Sequence, residues 1–221
     1  MLSIVEENYI KSIYKLSDAG RIVVSTNSLA SKLSIKAATA TDMLKKLSDK
    51  LLINYQKYQG VSLSDTGLQV ALKIIRKHRL WEMFLVEKLN FGWNEVHDIA
   101  EQLEHIHSDK LVIELERFLE FPLLDPHGEP IPSASLEILQ DQRTALNHHH
   151  KGEILNVVGV LDDSTLFLSC LDGLGIDLDS KIEILDINEY DHNMKVNLND
   201  HSQITISKQV AQKLLVKNFK S

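Results

Sequence analysis

The chain has 221 residues, of which 43% are hydrophobic and 25% charged, and its formal net charge is −7. These values are ordinary for a globular protein with room for two or three small domains. The single cysteine, Cys170, excludes an internal disulfide framework and fits a reducing cytosol. The amino-terminal segment carries acids and a lysine where a secretory signal is apolar, and no apolar run approaches a membrane span. We therefore expect a cytoplasmic protein that makes no contact with a membrane.

Charge is distributed unevenly along the chain. Residues 1–64 hold nine Lys and Arg against five Asp and Glu, whereas the remainder holds fifteen against twenty-six. A basic head on an acidic body is typical of a chain whose amino-terminal part faces DNA, although ordinary surface residues can produce the same balance. The charge pattern therefore favours a nucleic-acid partner without establishing one.

Residues 1–64 show the pattern of a winged helix-turn-helix DNA-binding domain. Apolar residues recur at helical spacing over residues 3–17. Residues 25–27, Ser-Thr-Asn, are helix-capping types that precede a second helix, and a short turn then leads to a third helix over residues 37–50. An alternating run, a turn near Gly60 and a further short run predict a two-stranded wing.

The third helix is the predicted recognition helix, because the second helix of such a pair enters the major groove with its amino-terminal turns. Small residues there permit close approach, and threonine methyl groups can contact thymine methyl groups. The basic and hydroxyl side chains nearby are candidates for phosphate contacts, or for an ordinary solvated surface. The candidate DNA contacts are Ser25, Thr26, Lys32, Lys36, Ala37, Ala38, Thr39, Thr41, Asp42, Lys45 and Lys46, with Lys57 and Tyr58 from the wing.

Residues 65–132 have the pattern of a helical domain. A long helix over residues 65–89 is apolar over most of its circumference, which predicts burial, partly against a second subunit. Two shorter helices are predicted over residues 94–107 and 109–120. We interpret this part as the dimerisation domain.

The remainder of the chain is richer in predicted strands. Residues 133–152 are polar and are interpreted as a linker, including the three histidines at 148–150, for which a solvated position is favoured over metal binding. Residues 153–221 contain short apolar runs, among them TLFLSCL at 165–171, which we interpret as strands of a small barrel. The predicted fold class is therefore mainly α with a small β domain.

The stretch VHDIAEQLEHIHSD at residues 96–109 carries an unusual cluster of histidines and carboxylates. On a continuous helix, Glu101, Glu104 and His105 fall on one face that has no lysine or arginine. Carboxylates one turn apart repel each other unless a cation or a proton lies between them, so the three side chains can bind one metal ion together. A solvated acidic face with incidental histidines is the equally weighted alternative.

The long predicted helix adds a second pair of ligand-type residues. His78 and Glu82 are one turn apart and therefore share a face of a mostly apolar helix. Burying such a pair costs free energy unless something binds it. His97 could approach this pair from the neighbouring helix, which would complete a second site.

Four motifs, in this order behind a winged helix, resemble the diphtheria toxin repressor family of iron- and manganese-dependent transcriptional regulators. They are RKHRLWE at 76–82, the 96–109 stretch, DPHGEPIP at 125–132 and the carboxy-terminal runs. The resemblance covers nearly the whole chain. It implies the three-domain form, with a winged helix-turn-helix domain, a helical metal-binding and dimerisation domain and an SH3-like (FeoA-like) domain.

The resemblance also implies two sets of metal ligands. The regulatory site would use Asn8, Glu101, Glu104 and His105, and a glutamate at 101 is similar to the manganese-responsive branch. Position 8 departs from the usual Asp or Met, and position 11 is lysine where some manganese regulators have a carboxylate. The second site would use His78, Glu82, His97 and Asp163, with Asp125 and His127 from the DPHG turn in one sub-branch.

The resulting expectation is a metal-activated repressor of metal-ion homeostasis that binds palindromic double-stranded operator DNA as a homodimer. Mn²⁺ is the favoured cofactor and Fe²⁺ a possible one, with Co²⁺, Ni²⁺ or Zn²⁺ as substitutes in vitro. No small organic substrate and no enzymatic activity are expected. The alternatives are a metal-dependent hydrolase using the same His/Glu cluster and a winged-helix regulator that needs no metal.

Overall fold

The computed structural model describes residues 2–56, 59–138 and 143–219, so the predicted wing contacts Lys57 and Tyr58 lie outside the described residues. The chain forms two compact units, and the division between them falls within the helical middle of the chain. The first unit comprises residues 1–78, 101–112 and 132–137, and the second comprises residues 79–100, 113–131 and 138–221.

The first unit begins with a winged helix, as predicted from the sequence. Its helices are α1 (Ile4–Leu16), α2 (Thr26–Lys32) and α3 (Ala37–Asp49). Ser3 caps α1 in a capping box with Glu6, and Ser25 caps α2 by accepting from the Ser28 amide. Strands β1 (Ile53–Gln56) and β2 (Gly60–Leu63) pair antiparallel as the wing. Their order behind α3 places the two strands and the recognition helix in one winged-helix arrangement.

Apolar side chains from all three helices close the core of the winged helix. Ile10, Ile13, Leu29, Leu44 and Leu47 are fully buried. Burial of a large aliphatic side chain contributes about 1.5–3 kcal/mol to the free energy of folding. The apolar cluster is therefore the main interaction that packs α3 against α1 and α2.

An ionic contact adds to that packing. The carboxylate of Glu6, on α1, lies 2.7 Å from the Lys50 ammonium and 3.0 Å from the Lys46 ammonium. The hydrogen bond from Lys50, the Ser3 amide and the charge of Lys46 together outweigh desolvation and lower the pKa of Glu6 to about 2. The recognition helix is therefore tied to α1 by charge as well as by its apolar face.

The middle of the chain contains α4 (Asp65–Leu89), α5 (His97–Leu103) and α6 (Asp109–Phe118). The prediction of a helix over residues 94–107 was wrong at both ends, since α5 is seven residues long. Glu104 and His105 lie in the turn after it. Helical spacing therefore does not place these two side chains, and their positions depend on how the turn packs.

The second unit contains a six-stranded antiparallel sheet with the order β3-β8-β4-β5-β6-β7. Its strands are β3 (Thr144–Ala145), β4 (Ile154–Val160), β5 (Lys181–Ile187), β6 (Met194–Leu198), β7 (Ser202–Ile206) and β8 (Leu214–Asn218), with the short helix α8 (Lys208–Ala211) before β8. Apolar residues that alternate along the strands form the core, including Leu155, Val157, Ile182 and Val196. The predicted class, mainly α with a small SH3-like β domain, is confirmed.

Two sequence interpretations in this unit require correction. The run TLFLSCL is not a strand but the start of α7 (Thr165–Leu174), which Ser164 caps and which ends at Gly175 in the left-handed conformation. Phe167, Leu168 and Leu171 are its buried face, at helical spacing. The carboxy-terminal part of the predicted linker is also ordered, because β3 pairs with β8.

We expect Glu6→Gln to lower the free energy of unfolding by about 1 kcal/mol near neutral pH, since its lysine partners are partly exposed. Because the folded-state pKa of about 2 lies below the ordinary 4.5, the stabilisation is present above about pH 4.5 and is lost as the pH falls towards 2. Urea unfolding of both proteins at about pH 7 and about pH 3 measures the difference. The difference in unfolding free energy between the two proteins should be smaller at about pH 3 than at about pH 7.

The matched control is Asp18→Asn, which breaks an exposed pair with Arg21 of 3.3 Å. Its effect should stay within about 0.5 kcal/mol. An equal loss for Glu6→Gln at both pH values would contradict the electrostatic role of Glu6.

Candidate metal centre

The first cluster of ligand-type residues lies in the first unit and is centred on Glu104. This carboxylate is 0% exposed, and its Oε2 atom lies 2.6 Å from Nδ1 of His78, on α4. The Nζ atom of Lys11, on α1, lies 2.6 Å from the same oxygen. Three segments of the unit therefore meet at one carboxylate oxygen.

Lys11 has further partners at this point. Its Nζ atom lies 3.3 Å from Oε1 of Glu101 and 3.3 Å from Nδ1 of His78. Burial raises the pKa of Glu104, but the hydrogen bond from His78 and the charge of Lys11 outweigh it, so the net pKa lies below its ordinary value. Glu104 is thus held as a carboxylate by groups of the protein itself.

Helix α1 makes a second contact with this segment through Glu7. The Oε2 atom of Glu7 lies 2.6 Å from Nδ1 of His105, and its Oε1 atom lies 3.7 Å from Nε2 of His107. Glu7 is buried, whereas Asn8, the predicted ligand, is exposed. The ligand role of Asn8 stays a prediction.

Sequence reasoning missed both Glu7 and Lys11 as partners of this cluster. Their spacing of four residues puts them on one face of α1, which is the signal that could have found them. In the described arrangement the oxygens of Glu101 and Glu104 surround an ammonium group. The ammonium group of Lys11 thus lies between these two carboxylates, and the ligand roles of Glu101, Glu104 and His105 stay predictions.

The second cluster lies in the second unit and consists of Glu82, Asp125 and His127. Their side chains are 1%, 3% and 2% exposed. One ligand atom from each residue lies within 4.8 Å of the others. Two buried carboxylates and a buried imidazole at this spacing form the kind of donor set that binds a divalent cation.

The DPHG turn positions two of these residues. One oxygen of Asp125 accepts from the amides of His127, at 2.8 Å, and Glu129, at 2.9 Å. Gly128 has φ +79°, and a Cβ atom at this position would collide with the Val158 carbonyl. The turn predicted from Asp, Pro and Gly is therefore present, and it holds the Asp125 carboxylate beside His127.

The imidazole of His127 is oriented for ligation. Its Nε2 atom lies 2.8 Å from the Trp93 carbonyl oxygen, which can only accept, so Nε2 carries a proton. Its Nδ1 atom faces Oε2 of Glu82 at 3.5 Å. A backbone acceptor that fixes the imidazole in this way is a common support of metal-bound histidine.

Burial and the neighbouring charges shift two pKa values in this cluster. Burial, followed by repulsion from Glu82, raises the pKa of Asp125 to about 7, although Arg79 opposes the change. Burial lowers the pKa of His127, but the hydrogen bond and the charge of Glu82 outweigh it and raise the pKa to about 9. Protons thus offset the charge of the carboxylates, and a divalent cation can take over this role.

His97 and Asp163 lie near this cluster, and their ligand roles stay predictions. The Nδ1 atom of His97 lies 3.5 Å from Oε1 of Glu82 and 3.6 Å from Oδ2 of Asp163. His78 belongs to the first unit, where it contacts Glu104. The complete second set, with His78 among its members, therefore stays a prediction.

The predicted DNA-contacting residues lie mostly on the surface. Ser25, Lys32, Lys36, Ala37, Ala38, Thr39, Asp42, Lys45 and Lys46 are exposed, and Thr26 and Thr41 are half-buried. Lys45 lies 3.3 Å from Asp42, and Lys46 is the partner of Glu6 described above. The amino-terminal turns of α3 thus present small side chains, with Lys36 at their start.

Comparisons with known proteins agree with this arrangement. Residues 1–61 match the iron dependent repressor amino-terminal DNA binding domain, and residues 64–133 match the iron dependent repressor metal binding and dimerisation domain. Residues 144–218 match the FeoA domain. An HTH-type transcriptional regulator of Methanocaldococcus jannaschii is 35% identical over 114 residues, which cover 52% of this chain and 91% of the relative.

The chain belongs to the iron-dependent repressor family.

Among solved structures, a manganese-dependent transcriptional repressor in complex with manganese has a TM-score of 0.87 and 32% identity, covering 97% of this chain and 100% of that one. The diphtheria toxin repressor of Corynebacterium jeikeium is 30% identical over 126 residues, covering 57% of this chain and 52% of the relative. A Chlamydia trachomatis protein named for a metal transport system of the membrane is 45% identical over 86 residues. The chain covers 19% of the length of that protein.

Membership of the iron-dependent repressor family decides between the functional alternatives. Proteins of this family are metal-dependent transcriptional repressors rather than enzymes, so the metal-dependent hydrolase alternative is rejected. Within the described residues, no helix has the length and apolar character needed to cross a bilayer.

Glu82→Gln should weaken Mn²⁺ binding at the second cluster at least about tenfold, because an amide cannot supply the carboxylate charge that the cation neutralises. Isothermal titration calorimetry and the Mn²⁺ electron paramagnetic resonance signal measure the binding. Glu153→Gln is the matched control, since Glu153 pairs with His149 outside the cluster. Equal Mn²⁺ affinity in the Glu82 variant and the wild type would remove Glu82 from the ligand set.

Proposed function

We propose that the chain is a manganese-responsive repressor that binds palindromic operator DNA as a homodimer. The observation that carries the metal part is the buried Glu82–Asp125–His127 cluster, with His97 and Asp163 beside it. Its donors are carboxylate oxygens and imidazole nitrogens, without a thiolate, which suits Mn²⁺ or Fe²⁺. Co²⁺, Ni²⁺ and Zn²⁺ are the expected substitutes in vitro.

The similar structure named for manganese supports the choice of Mn²⁺ over Fe²⁺. A bound cation supplies positive charge among the carboxylates of the second cluster. The protein contributes the rest: the two backbone amides at Asp125 hold one of its oxygens, and the Trp93 carbonyl holds the ring of His127. These contacts preorganise the donors, so less conformational freedom is lost when the cation binds.

The DNA interface is proposed to be the exposed start of α3. Ala37, Ala38 and Thr39 allow the helix to approach the floor of the major groove. Lys32 and Lys36 flank this surface and are proposed to contact phosphates. The wing is proposed to add Lys57 and Tyr58. Because the target is DNA, the proposed site of action is the cytoplasm.

The dimer interface is proposed to lie on the exposed apolar surface of the second unit. Phe118, at the end of α6, is 59% exposed, and Phe121 and Leu123 just after it are 61% and 64% exposed. Phe84 packs against Phe118 with ring centroids 6.2 Å apart. Clustered exposed aromatic and aliphatic side chains mark a surface that a partner covers.

Operator binding should require metal. Fluorescence anisotropy with a labelled operator duplex should show an affinity at least about tenfold higher with saturating Mn²⁺ than with chelator. Glu82→Gln should reduce that difference while leaving the far-UV circular dichroism spectrum unchanged. Equal operator affinity with and without metal in the wild type would contradict the proposed response.

Two variants of α3 should separate base contacts from phosphate contacts. Thr39→Ala should cost about 1–3 kcal/mol of binding to the operator and little on unrelated DNA. Lys36→Ala should weaken both DNAs similarly and reduce the salt slope by about one. Lys208→Ala, on α8, is the control with an exposed lysine outside the winged helix. Equal effects of all three substitutions would place the DNA interface elsewhere.

The substitution Phe118→Glu, combined with Phe121→Glu, should convert the homodimer to monomers, because a charge cannot be buried in an apolar interface without a partner. Sedimentation velocity measures the change. Tyr190→Glu is the control, since this side chain is 96% exposed in the sheet region. A double variant that sediments as the wild type does would exclude this surface from the dimer interface.

A further inference from the structure

The first cluster contains a cation that the protein supplies itself. Lys11 is 5% exposed although it is a lysine, a residue that is rarely buried without a partner. Its ammonium group lies 2.6 Å from Glu104 and 3.3 Å from Glu101. The burial of a positive charge between two carboxylates is a specific arrangement rather than a solvated surface contact.

The hydrogen bonds at this point form one consistent set. Glu104 Oε2 is closest to both His78 Nδ1 and Lys11 Nζ. If Nδ1 of His78 carries its proton and donates to Glu104, the Lys11 ammonium donates to Glu104 and Glu101. Both short contacts of Glu104 Oε2 are then made by donors. In this set, Glu104 needs no further cation on that oxygen.

The face of α1 that carries Lys11 is complementary to the turn that it contacts. Glu7 pairs with His105, and Lys11, one turn later, pairs with Glu104. A carboxylate thus meets an imidazole and an ammonium group meets a carboxylate, in opposite order along the two segments. This pattern attaches α1 to the turn after α5 through side chains of the protein alone.

We propose that the ammonium group of Lys11 takes the place of a metal ion at the first cluster and fixes α1 against the turn after α5. Metal control of the chain then resides at the Glu82–Asp125–His127 cluster. Lys11 is a positioning residue, because it acts by holding α1 rather than by contacting DNA. A divalent cation could enter the first cluster only after Lys11 had left it, since the two positive charges repel each other and share the same oxygens.

Metal stoichiometry of the full chain tests the proposal. In the Glu82→Gln background, which weakens binding at the second cluster, we expect equilibrium dialysis to detect no bound Mn²⁺ that a further Glu104→Gln substitution removes. Adding Lys11→Glu should create a site for one Mn²⁺ per protomer, because the new carboxylate joins Glu101 and Glu104. Adding Glu104→Gln should abolish that site again. If the Glu82→Gln protein alone binds one Mn²⁺ that Glu104→Gln removes, the proposal is overturned.

Hydrogen exchange in chelator tests the attachment of α1 without relying on any metal. Lys11→Met removes the charge and keeps the length of the side chain, so the amides of α1 should exchange at least about tenfold faster than in the wild type. Lys15→Met, at an exposed position one turn later, is the matched control and should leave their exchange unchanged. Unchanged protection in Lys11→Met would overturn the proposal.

The proposal rests on the proposed function only where it assigns metal control to the second cluster. If wild-type operator affinity does not respond to Mn²⁺, the proposed function fails. The exchange result for Lys11→Met still decides whether Lys11 holds α1. If Mn²⁺ addition increases α1 protection in Glu82→Gln, a metal ion acts at the first cluster and the internal-cation proposal is wrong.

Discussion

The buried carboxylate of Glu104 is the constraint on which the first unit depends. An ionised carboxylate with no exposed surface must be matched by positive charge and hydrogen-bond donors, or it takes up a proton. His78 and Lys11, from two different helices, provide this match at Oε2, whereas Oε1 has no hydrogen-bond partner among the described residues. The need to neutralise one side chain therefore fixes where α1 and α4 meet the turn after α5. Removing Lys11 would leave the Glu104 carboxylate buried without the positive charge that compensates it.

The two clusters solve the same electrostatic problem in different ways. In the first, a lysine side chain lies 2.6 Å from the Glu104 carboxylate. In the second, burial and then repulsion from Glu82 raise the pKa of Asp125 to about 7, although Arg79 lies 3.4 Å away and opposes the change. A divalent cation can replace the protons that offset the charge of the second cluster, whereas at the first cluster the Lys11 side chain lies between the carboxylates. This contrast supports the proposed location of the metal response at the Glu82–Asp125–His127 cluster.

The winged helix could be predicted from the sequence because capping residues and apolar spacing mark its helices. Ser3 and Ser25 are capping residues at helix starts, and the apolar spacing of α1 and α3 matches their buried faces. TLFLSCL misled the interpretation because a short apolar run carries no period that separates strand from helix. The capping residues at the two ends of α7, Ser164 and Gly175, indicate a helix more clearly than the apolar run does.

The clustering of the candidate ligand residues was predictable only in part. His78, Glu82, His97, Asp125 and His127 were selected by residue type and resemblance, and the structure places them at or near buried carboxylates. Their partners could not be selected in this way, because pairing across segments depends on tertiary packing. Glutamate and lysine usually lie on the protein surface, so the sequence gives no reason to expect Glu7 and Lys11 to be buried. They are buried because α1 packs against the turn that contains Glu104 and His105.

Helix α1 has a mechanical consequence for the reading of DNA. It carries Glu6, which holds Lys46 and Lys50 at the end of α3, and Lys11, which holds the turn at Glu104. These attachment points are five residues apart, roughly 7.5 Å along a rigid helix. Such a helix acts as a short lever, so a displacement at the Glu104 end reaches the DNA-reading helix without first unfolding a loop. Because α1 is rigid, a small movement of the helix at Lys11 also moves Glu6 and the end of α3. The orientation of α3 is therefore sensitive to substitutions that shift Glu6 or Lys11.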